Sequence, residues 1–100
     1  ALGEYEATVR LDPGFVEAVN NMGVIYRENG SYDMAIGTFK KALEIDAYNP
    51  AVNYNIAVAY DMSGDTEMAR RHYTTFLFTA PAYYGGQLRD ARRRLMELKR

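Results

Sequence analysis

The side chains that most often carry out catalysis are scarce in this chain. It contains one histidine, His72, two serines, Ser31 and Ser63, and no cysteine. A serine nucleophile needs a base and an orienting acid within hydrogen-bond reach. Both serines lie between predicted helices, where polar residues cap helix ends, and we expect His72 to point outward. The sequence therefore indicates no catalytic site, and we expect no enzymatic activity.

Metal and phosphate sites are equally unsupported. Structural zinc is held by cysteine and histidine ligands, and the chain has a single histidine and no paired carboxylates at ligand spacing on one helix face. Gly85 and Gly86 precede a predicted helix but lack the Lys and Ser/Thr that follow the glycines of a phosphate-binding loop. We expect no metal and no cofactor.

An arginine run, Arg92 to Arg94, is the strongest cluster of one charge. Consecutive helical residues are about 100° apart, so the three side chains fan out instead of forming one flat patch. An apolar stripe on the same predicted helix leaves these arginines on its outer side; the stripe consists of Leu88, Ala91, Leu95 and Leu98. We predict a solvated end helix with i, i+4 pairs Asp90–Arg94 and Arg93–Glu97, and no binding to nucleic acid.

The elements that carry these residues belong to a small folded protein. The chain has 100 residues, of which 48% are hydrophobic and 25% are charged, as in an average soluble domain. No apolar run is long enough to span a bilayer, so we expect no direct membrane insertion. Residues 1–68 contain four basic and eleven acidic side chains, net −7, whereas residues 69–100 contain eight and two, net +6.

A repeat of 34 residues runs through the chain. The segment that starts at Asn20 and ends at Tyr26 aligns with the segment from Tyr54 to Tyr60. The same offset relates further packing positions, namely Gly30 and Gly64, Ala35 and Ala69, Phe39 and Tyr73, and Leu43 and Leu77. Apolar residues within each copy recur at i, i+3, i+4 and i+7, the spacing of one helix face. Such periods are typical of stacked helical repeats.

The pattern resembles the tetratricopeptide repeat (TPR) family. Small residues, aromatic residues and proline stand at the family's offsets, with Gly23, Tyr26, Ala35, Phe39 and Ala42 in the first full copy and Ala57, Tyr60, Ala69, Tyr73 and Pro81 in the second. Gly23 is expected to lie where the two helices of a pair cross closely. Asn53 departs from the pattern, because it is polar at a position that normally packs.

The resemblance implies an all-α fold, a right-handed superhelix of antiparallel helix pairs. We predict the second helix of a truncated repeat at 1–15, full repeats at 16–49 and 50–83, and a capping helix at 84–100. We expect helices near 2–11, 16–29, 33–46, 50–63, 66–79 and 86–99. The first of these lacks its pair partner, so we expect further repeats before Ala1 or another chain covering it. No signal peptide is visible at the start.

In this family the first helices of successive repeats line a concave groove that binds peptides or partner helices. The resemblance places peptide-binding positions on these helices, and our candidates are Asn20, Asn21, Val24, Arg27, Tyr54, Asn55, Val58, Asp61 and Arg89. Asn21 and Asn55 are of special interest, because an amide can both donate to and accept from a peptide backbone. The alternative for these two residues is that they bond to local backbone groups.

One TPR subtype clamps the C-terminal carboxylate of heat-shock chaperones with lysine, arginine and asparagine. Only Asn55 and Arg89 match that set here, and two of the required cations are missing. A carboxylate in a groove needs cations to replace its water, so this ligand is disfavoured. Val24, Tyr54 and Val58 instead favour a partner with apolar or aromatic anchors.

We therefore predict a non-catalytic protein–protein interaction scaffold that binds a peptide or partner helix. The alternative is a self-assembly module that forms homo-oligomers through the N-terminal helix and the opposite end charges. A cytoplasmic location is only the default, and a periplasmic or membrane-tethered parent would have the same sequence features. The sequence does not identify the partner.

Overall fold

Five α-helices joined by short turns make up the part of the chain that the computed structural model describes, residues 14–98. They are α1 (Val16–Glu28), α2 (Tyr32–Ile45), α3 (Pro50–Ser63), α4 (Thr66–Thr79) and α5 (Gly85–Leu98), with a 3₁₀ turn at Ala82–Tyr84 before the last helix. The predicted helix at 2–11 and residues Lys99 and Arg100 lie outside the described residues. The all-α fold of paired helices is confirmed.

Helix ends coincide with the turn residues of the repeat. Gly30 and Gly64 take positive φ angles of 81° and 93°, the left-handed conformation that ends a helix. Asn49 caps α3 by accepting a hydrogen bond from the Val52 N–H at 3.1 Å, and Asp65 caps α4 by accepting from the Met68 N–H at 3.2 Å. The short turns bring the chain back on itself, and the caps satisfy backbone N–H groups where the next helix begins.

Small residues allow the helices of a pair to approach closely. A Cβ atom on Gly23 would lie 2.5 Å from Cε1 of Phe39, whose ring is fully buried. The expected close crossing at Gly23 is therefore confirmed. Gly37 has open space around its Cα, and nothing in the structure explains a glycine there.

One core runs through all five helices. Its buried members are mostly repeat positions on α1 to α4, and Ala91 is the buried contribution of α5. Leu88, Leu95 and Leu98 are partly buried against this core, which confirms the predicted apolar stripe on α5. Within residues 14–98, no helix has both the length and the apolar character needed to cross a bilayer.

Candidate functional site

Helices α1, α3 and α5 share an accessible face with the repeat spacing. The face comprises residues 17, 21, 24 and 28 on α1, residues 51, 55, 58 and 62 on α3, and residues 85, 89, 92 and 96 on α5. Each set follows i, i+4, i+7 and i+11, and none of the twelve residues is buried. The buried residues of α1 and α3, such as Val19 and Ala57, lie on the opposite side of their helices. We call this surface the inner face.

A polar contact joins α1 to α3 beside the inner face. The Asn55 side chain donates from Nδ2 to Oδ1 of Asn20 at 3.1 Å, and its Oδ1 accepts from Nη1 of Arg27 at 3.3 Å. Three of the predicted site residues are thus brought together, but they bond to one another. Asn21 has no side-chain hydrogen bond within residues 14–98, so the two predicted amides differ in their surroundings.

A second contact, between α3 and α5, is charged. Arg94 donates two hydrogen bonds to Asp61, at 2.8 Å from Nε and 2.6 Å from Nη2, and Asp61 also accepts from the Tyr73 hydroxyl at 3.1 Å. The Tyr54 hydroxyl donates to Oδ2 of Asp90 at 2.6 Å. Tyr54 and Asp61, predicted as groove residues, therefore hold the last helix in place.

These contacts change the titration of the groups involved. Burial and the Asp90 carboxylate raise the pKa of Tyr54 to about 12. Burial, followed by the Asp61 carboxylate, raises the pKa of Tyr73 above its usual value. Hydrogen bonds to Asp61 and Glu97 raise the pKa of Arg94. All of these shifts favour the protonated groups that donate across the α3–α5 contact.

The arginine run is not uniformly solvated, which corrects the prediction. The expected Asp90–Arg94 pair is absent, because Arg94 points to Asp61 and Asp90 pairs with Arg93 instead. The Arg93–Glu97 pair is present, at 3.5 Å. Arg94 occupies the position that is 34 residues after Tyr60, and its side chain is 30% exposed. A charged residue at a packing position was the sequence signal for this contact.

The prediction that His72 points outward is wrong. Its Nδ1 lies 2.9 Å from Oδ1 of Asn53, and its ring stacks on Tyr60 with 5.8 Å between centroids. Asn53 is buried, and its Nδ2 donates to the backbone oxygens of Ala47 and Asn49. Burial, followed by the Lys40 and Arg71 charges, lowers the pKa of His72. No group of three or more metal-ligating side chains occurs within residues 14–98.

A cleft of about 690 Å³ opens where α1 and α3 begin. Its lining includes the inner-face residues Glu17, Asn21 and Ala51, together with Asn20. Aromatic residues Phe15, Tyr83 and Tyr84 form part of its wall, and Tyr83 is 82% exposed. Phe15 and Tyr83 were not among the predicted site residues, because both precede the helices on which those positions were placed.

The remaining predicted site residues differ in exposure. Val24 and Val58 are partly buried and pack against the core, whereas Arg89 is exposed. Two methionines on the inner face are more exposed than the valines, Met62 at 57% and Met96 at 71%. The predicted site residues did not include these methionines, although both follow the offset of 34.

Comparison with curated proteins finds photosystem I assembly proteins. The chain is 34% identical over 67 residues to photosystem I assembly protein Ycf3 of Prochlorococcus marinus (strain SARG), covering 64% of this chain and 39% of that protein. It is 36% identical over 75 residues to Ycf3 of Prochlorococcus marinus (strain NATL2A), covering 72% and 42%. The chain thus spans about two fifths of the length of these relatives.

Solved structures share the fold at low sequence identity. The Yersinia enterocolitica type III secretion chaperone SycD, in complex with a peptide of the translocator YopD, superimposes with a TM-score of 0.93 at 16% identity, covering 98% of this chain and 76% of that chain. PcrH in complex with the chaperone-binding region of PopD gives 0.89 at 16% identity, covering 98% and 75%. A thermophilic TPR protein of Thermus thermophilus gives 0.79 at 24% identity, covering 98% and 47%.

Two family models cover most of the described repeats. One, described as TPR repeat, matches residues 23–64, and the other, described as tetratricopeptide repeat, matches residues 4–37. Together with the paired helices and the offset of 34, these matches show that the chain belongs to the tetratricopeptide repeat family.

Proposed function

We propose that this chain is a non-catalytic protein-interaction scaffold that binds an extended peptide on its inner face. The observation that carries the proposal is the accessibility of that face on three adjacent helices, including two exposed methionines and a cleft at one end. Exposed apolar surface within a groove is typical of a binding site. SycD and PcrH share the fold; SycD was solved with a peptide of the translocator YopD, and PcrH with the chaperone-binding region of PopD.

The predicted site residues divide into two roles under this proposal. Asn21 offers an amide to a peptide backbone at the edge of the cleft, and Arg89 offers a cation on α5. Asn20, Arg27, Tyr54, Asn55 and Asp61 keep the three helices in register, while Val24 and Val58 form the floor of the inner face.

A displayed library of random twelve-residue peptides tests the proposal. Peptides are selected on the unaltered protein and retested on the variant Asn21→Ala with Met62→Ser and Met96→Ser. Tyr54 and Asn55 are left unchanged, because their substitution would loosen contacts between helices. We expect binding to fall at least tenfold in the variant. Met34→Ser with Phe78→Ser is the matched control, since both residues are exposed and outside the inner face.

Two outcomes would contradict peptide binding on the inner face. One is a selected pool that binds both variants equally, which would locate the site elsewhere. The other is the absence of any selected peptide. Circular dichroism of each variant checks that helical content is unchanged.

Self-assembly through the N-terminal helix is the alternative from the sequence, and that helix lies outside the described residues. The repeat boundaries at residues 15, 49 and 83 and the absence of nucleic-acid binding also stay predictions. Sedimentation equilibrium from micromolar to millimolar concentration tests self-assembly, because an assembly held by end charges weakens with salt.

A further inference from the structure

Most ionisable side chains of α3 and α5 have partners inside the protein. Asp61, Asp90, Arg93, Arg94 and Glu97 pair with one another, whereas on α1 the Arg27 guanidinium bonds to the neutral Asn55 amide and keeps its charge. A charge that is matched within the fold contributes little to the attraction of a ligand. The charges that remain determine what the inner face selects.

The charges that remain on the inner face are separated by helix. Glu17 and Glu28 lie on α1, whereas Arg89 and Arg92 lie on α5, and all four are exposed. None of the four has an ion-pair partner within residues 14–98. The inner face of α3 carries no charge, as it comprises Ala51, Asn55, Val58 and Met62. The charged residues of the face itself are therefore acidic on α1 and basic on α5, with none on α3 between them, and the Arg27 cation lies beside the face at the α1–α3 contact.

We infer that the inner face binds a peptide segment of complementary charge order, with a basic side chain over α1, apolar side chains over α3 and an acidic side chain over α5. The inference rests on the proposed function and adds the chemistry and direction of the ligand. Charge complementarity supports this occupant, because each end of the face offers one sign and the centre offers Val58 and Met62 for apolar contact.

The spacing of the helices sets the spacing of the charges in the ligand. Side-chain hydrogen bonds join α1 to α3 and α3 to α5, so neighbouring helices of the face are about 10 Å apart between axes and α1 and α5 are separated by roughly 20 Å. An extended peptide advances about 3.3 Å per residue. The basic and acidic side chains of the ligand should therefore be about five or six residues apart.

A second copy of this chain is the competing occupant. Two inner faces related by a twofold axis would place the glutamates of one copy against the arginines of the other. Such a dimer would bury the face, and peptides would compete with it. Sedimentation equilibrium separates these occupants, because a peptide-binding monomer keeps the mass of one chain at all concentrations.

The test uses the random twelve-residue library with charge-reversal variants. Peptides selected on the unaltered protein are sequenced and then retested on Arg89→Glu with Arg92→Glu, and on Glu17→Arg with Glu28→Arg. Matched controls change the net charge equally on other surfaces: Arg70→Glu with Arg71→Glu, and Glu44→Arg with Glu67→Arg. We expect the selected peptides to carry opposite charges five or six residues apart, and each inner-face reversal to weaken binding about tenfold.

Ligand direction is read from a spin label on the basic end of one selected peptide. We expect paramagnetic broadening of α1 amides in the unaltered protein. We expect broadening of α5 amides in the quadruple variant that combines both inner-face charge reversals. Selected peptides without charge order would overturn this inference. If they also lose binding to the triple variant Asn21→Ala, Met62→Ser and Met96→Ser, the proposed function stays intact. Selected peptides absent altogether would overturn both. If the unaltered protein forms a dimer and Arg89→Glu with Arg92→Glu dissociates it, the occupant of the inner face is a second copy and not a peptide.

Discussion

The two helix pairs, α1–α2 and α3–α4, have matching positions 34 residues apart, but different interactions stabilise them. The first pair packs Val19, Gly23 and Phe39, and the Phe39 ring fills the space where a Gly23 side chain would lie. The second pair has Asn53, Ala57 and Tyr73 at the same positions. The residue that contacts Asn53 is His72, and the equivalent position in the first pair is Thr38.

These differences make the second pair more polar inside and link it to α5. Asn53 binds His72 and two backbone oxygens, and the Tyr73 hydroxyl reaches Asp61, which Arg94 also binds. The Thr38 hydroxyl instead donates to the backbone oxygen of Met34 in its own helix. A repeat can thus keep its backbone while exchanging apolar packing for a satisfied polar network.

The largest expected difference in stability between variants of the two pairs is at the helix crossing. Gly23→Ala should destabilise the protein by about 3 kcal/mol, because the new Cβ would lie 2.5 Å from the fully buried Phe39 ring and would force it or the helix to shift. Ala57→Gly should cost about 2 kcal/mol, because it lowers helix propensity and also removes a fully buried methyl group. Urea unfolding measures both. A more stable Gly23→Ala variant would show that the crossing is not tight, and Gly23→Ala with Phe39→Leu should recover part of the loss.

The next difference in stability concerns the contacts of α3 with α5 on one side and with α1 on the other. Arg94→Ala should cost about 2 kcal/mol, because it leaves Asp61, 13% exposed, without its cation. Arg27→Ala should cost less than about 1 kcal/mol, since a neutral amide loses a single bond. The free energies of unfolding in urea give both values. Equal costs for the two arginines would remove the distinction between the charged and the amide contact.

Alkaline pH should weaken only the second pair and its contact with α5. The pKa of Tyr54 is raised to about 12 in the folded protein, against about 10 in an unfolded chain. The folded state then holds more protons, so stability falls as pH rises above about 10, by roughly 1 kcal/mol at pH 11 for this residue after allowance for solvent screening. Tyr73 adds to the same direction.

Absorbance at 295 nm reports these tyrosine titrations, and thermal unfolding between pH 9 and pH 11.5 reports the stability. Tyr54→Phe with Tyr73→Phe should reduce the loss on alkalinisation. The equivalent positions in the first pair, Asn20 and Phe39, do not ionise in this range. An unchanged alkaline loss in the double variant would contradict the assignment to these hydroxyls.

The smallest effect should appear on acidification. The pKa of His72 is lowered in the folded protein, so the unfolded state takes up a proton first and stability falls as pH drops below about 6.5. Asn53→Val with His72→Thr installs the residues of the first pair and should abolish this pH dependence between pH 7.5 and pH 5. Amide hydrogen exchange measures it helix by helix, and an equal acid response of α2 and α4 would contradict it.

The helices and their pairing were predictable from the sequence because they depend on local signals. The offset of 34, the apolar spacing and the turns at Gly30 and Gly64 indicate where helices end and which faces pack. Gly23 was recognisable as a crossing because a glycine inside a helix is unfavourable without close packing, whereas its contact with the Phe39 ring was visible only in the structure. The end helix was recognised from its four-residue apolar stripe.

The candidate site was predictable only as a set of positions. Asn55 and Asn21 are the same residue type at equivalent positions, yet Asn55 is occupied by Asn20 and Arg27. Tyr54 and Asp61 have the chemistry of ligand-binding residues, but both are hydrogen-bonded to side chains of α5. Partners that lie about one repeat away in the chain are not visible in local patterns.

By itself, the sequence determined the helical repeat, the family and the absence of cysteine chemistry, since these follow from spacing and composition. Which polar groups are paired inside the fold and which remain exposed became clear only from the packing of the helices. The physical reason is that a hydrogen bond depends on distance and direction between side chains from different helices. Arg92 and Arg94 are two residues apart on one helix. Arg94 packs against α3, whereas Arg92 lies on the inner face.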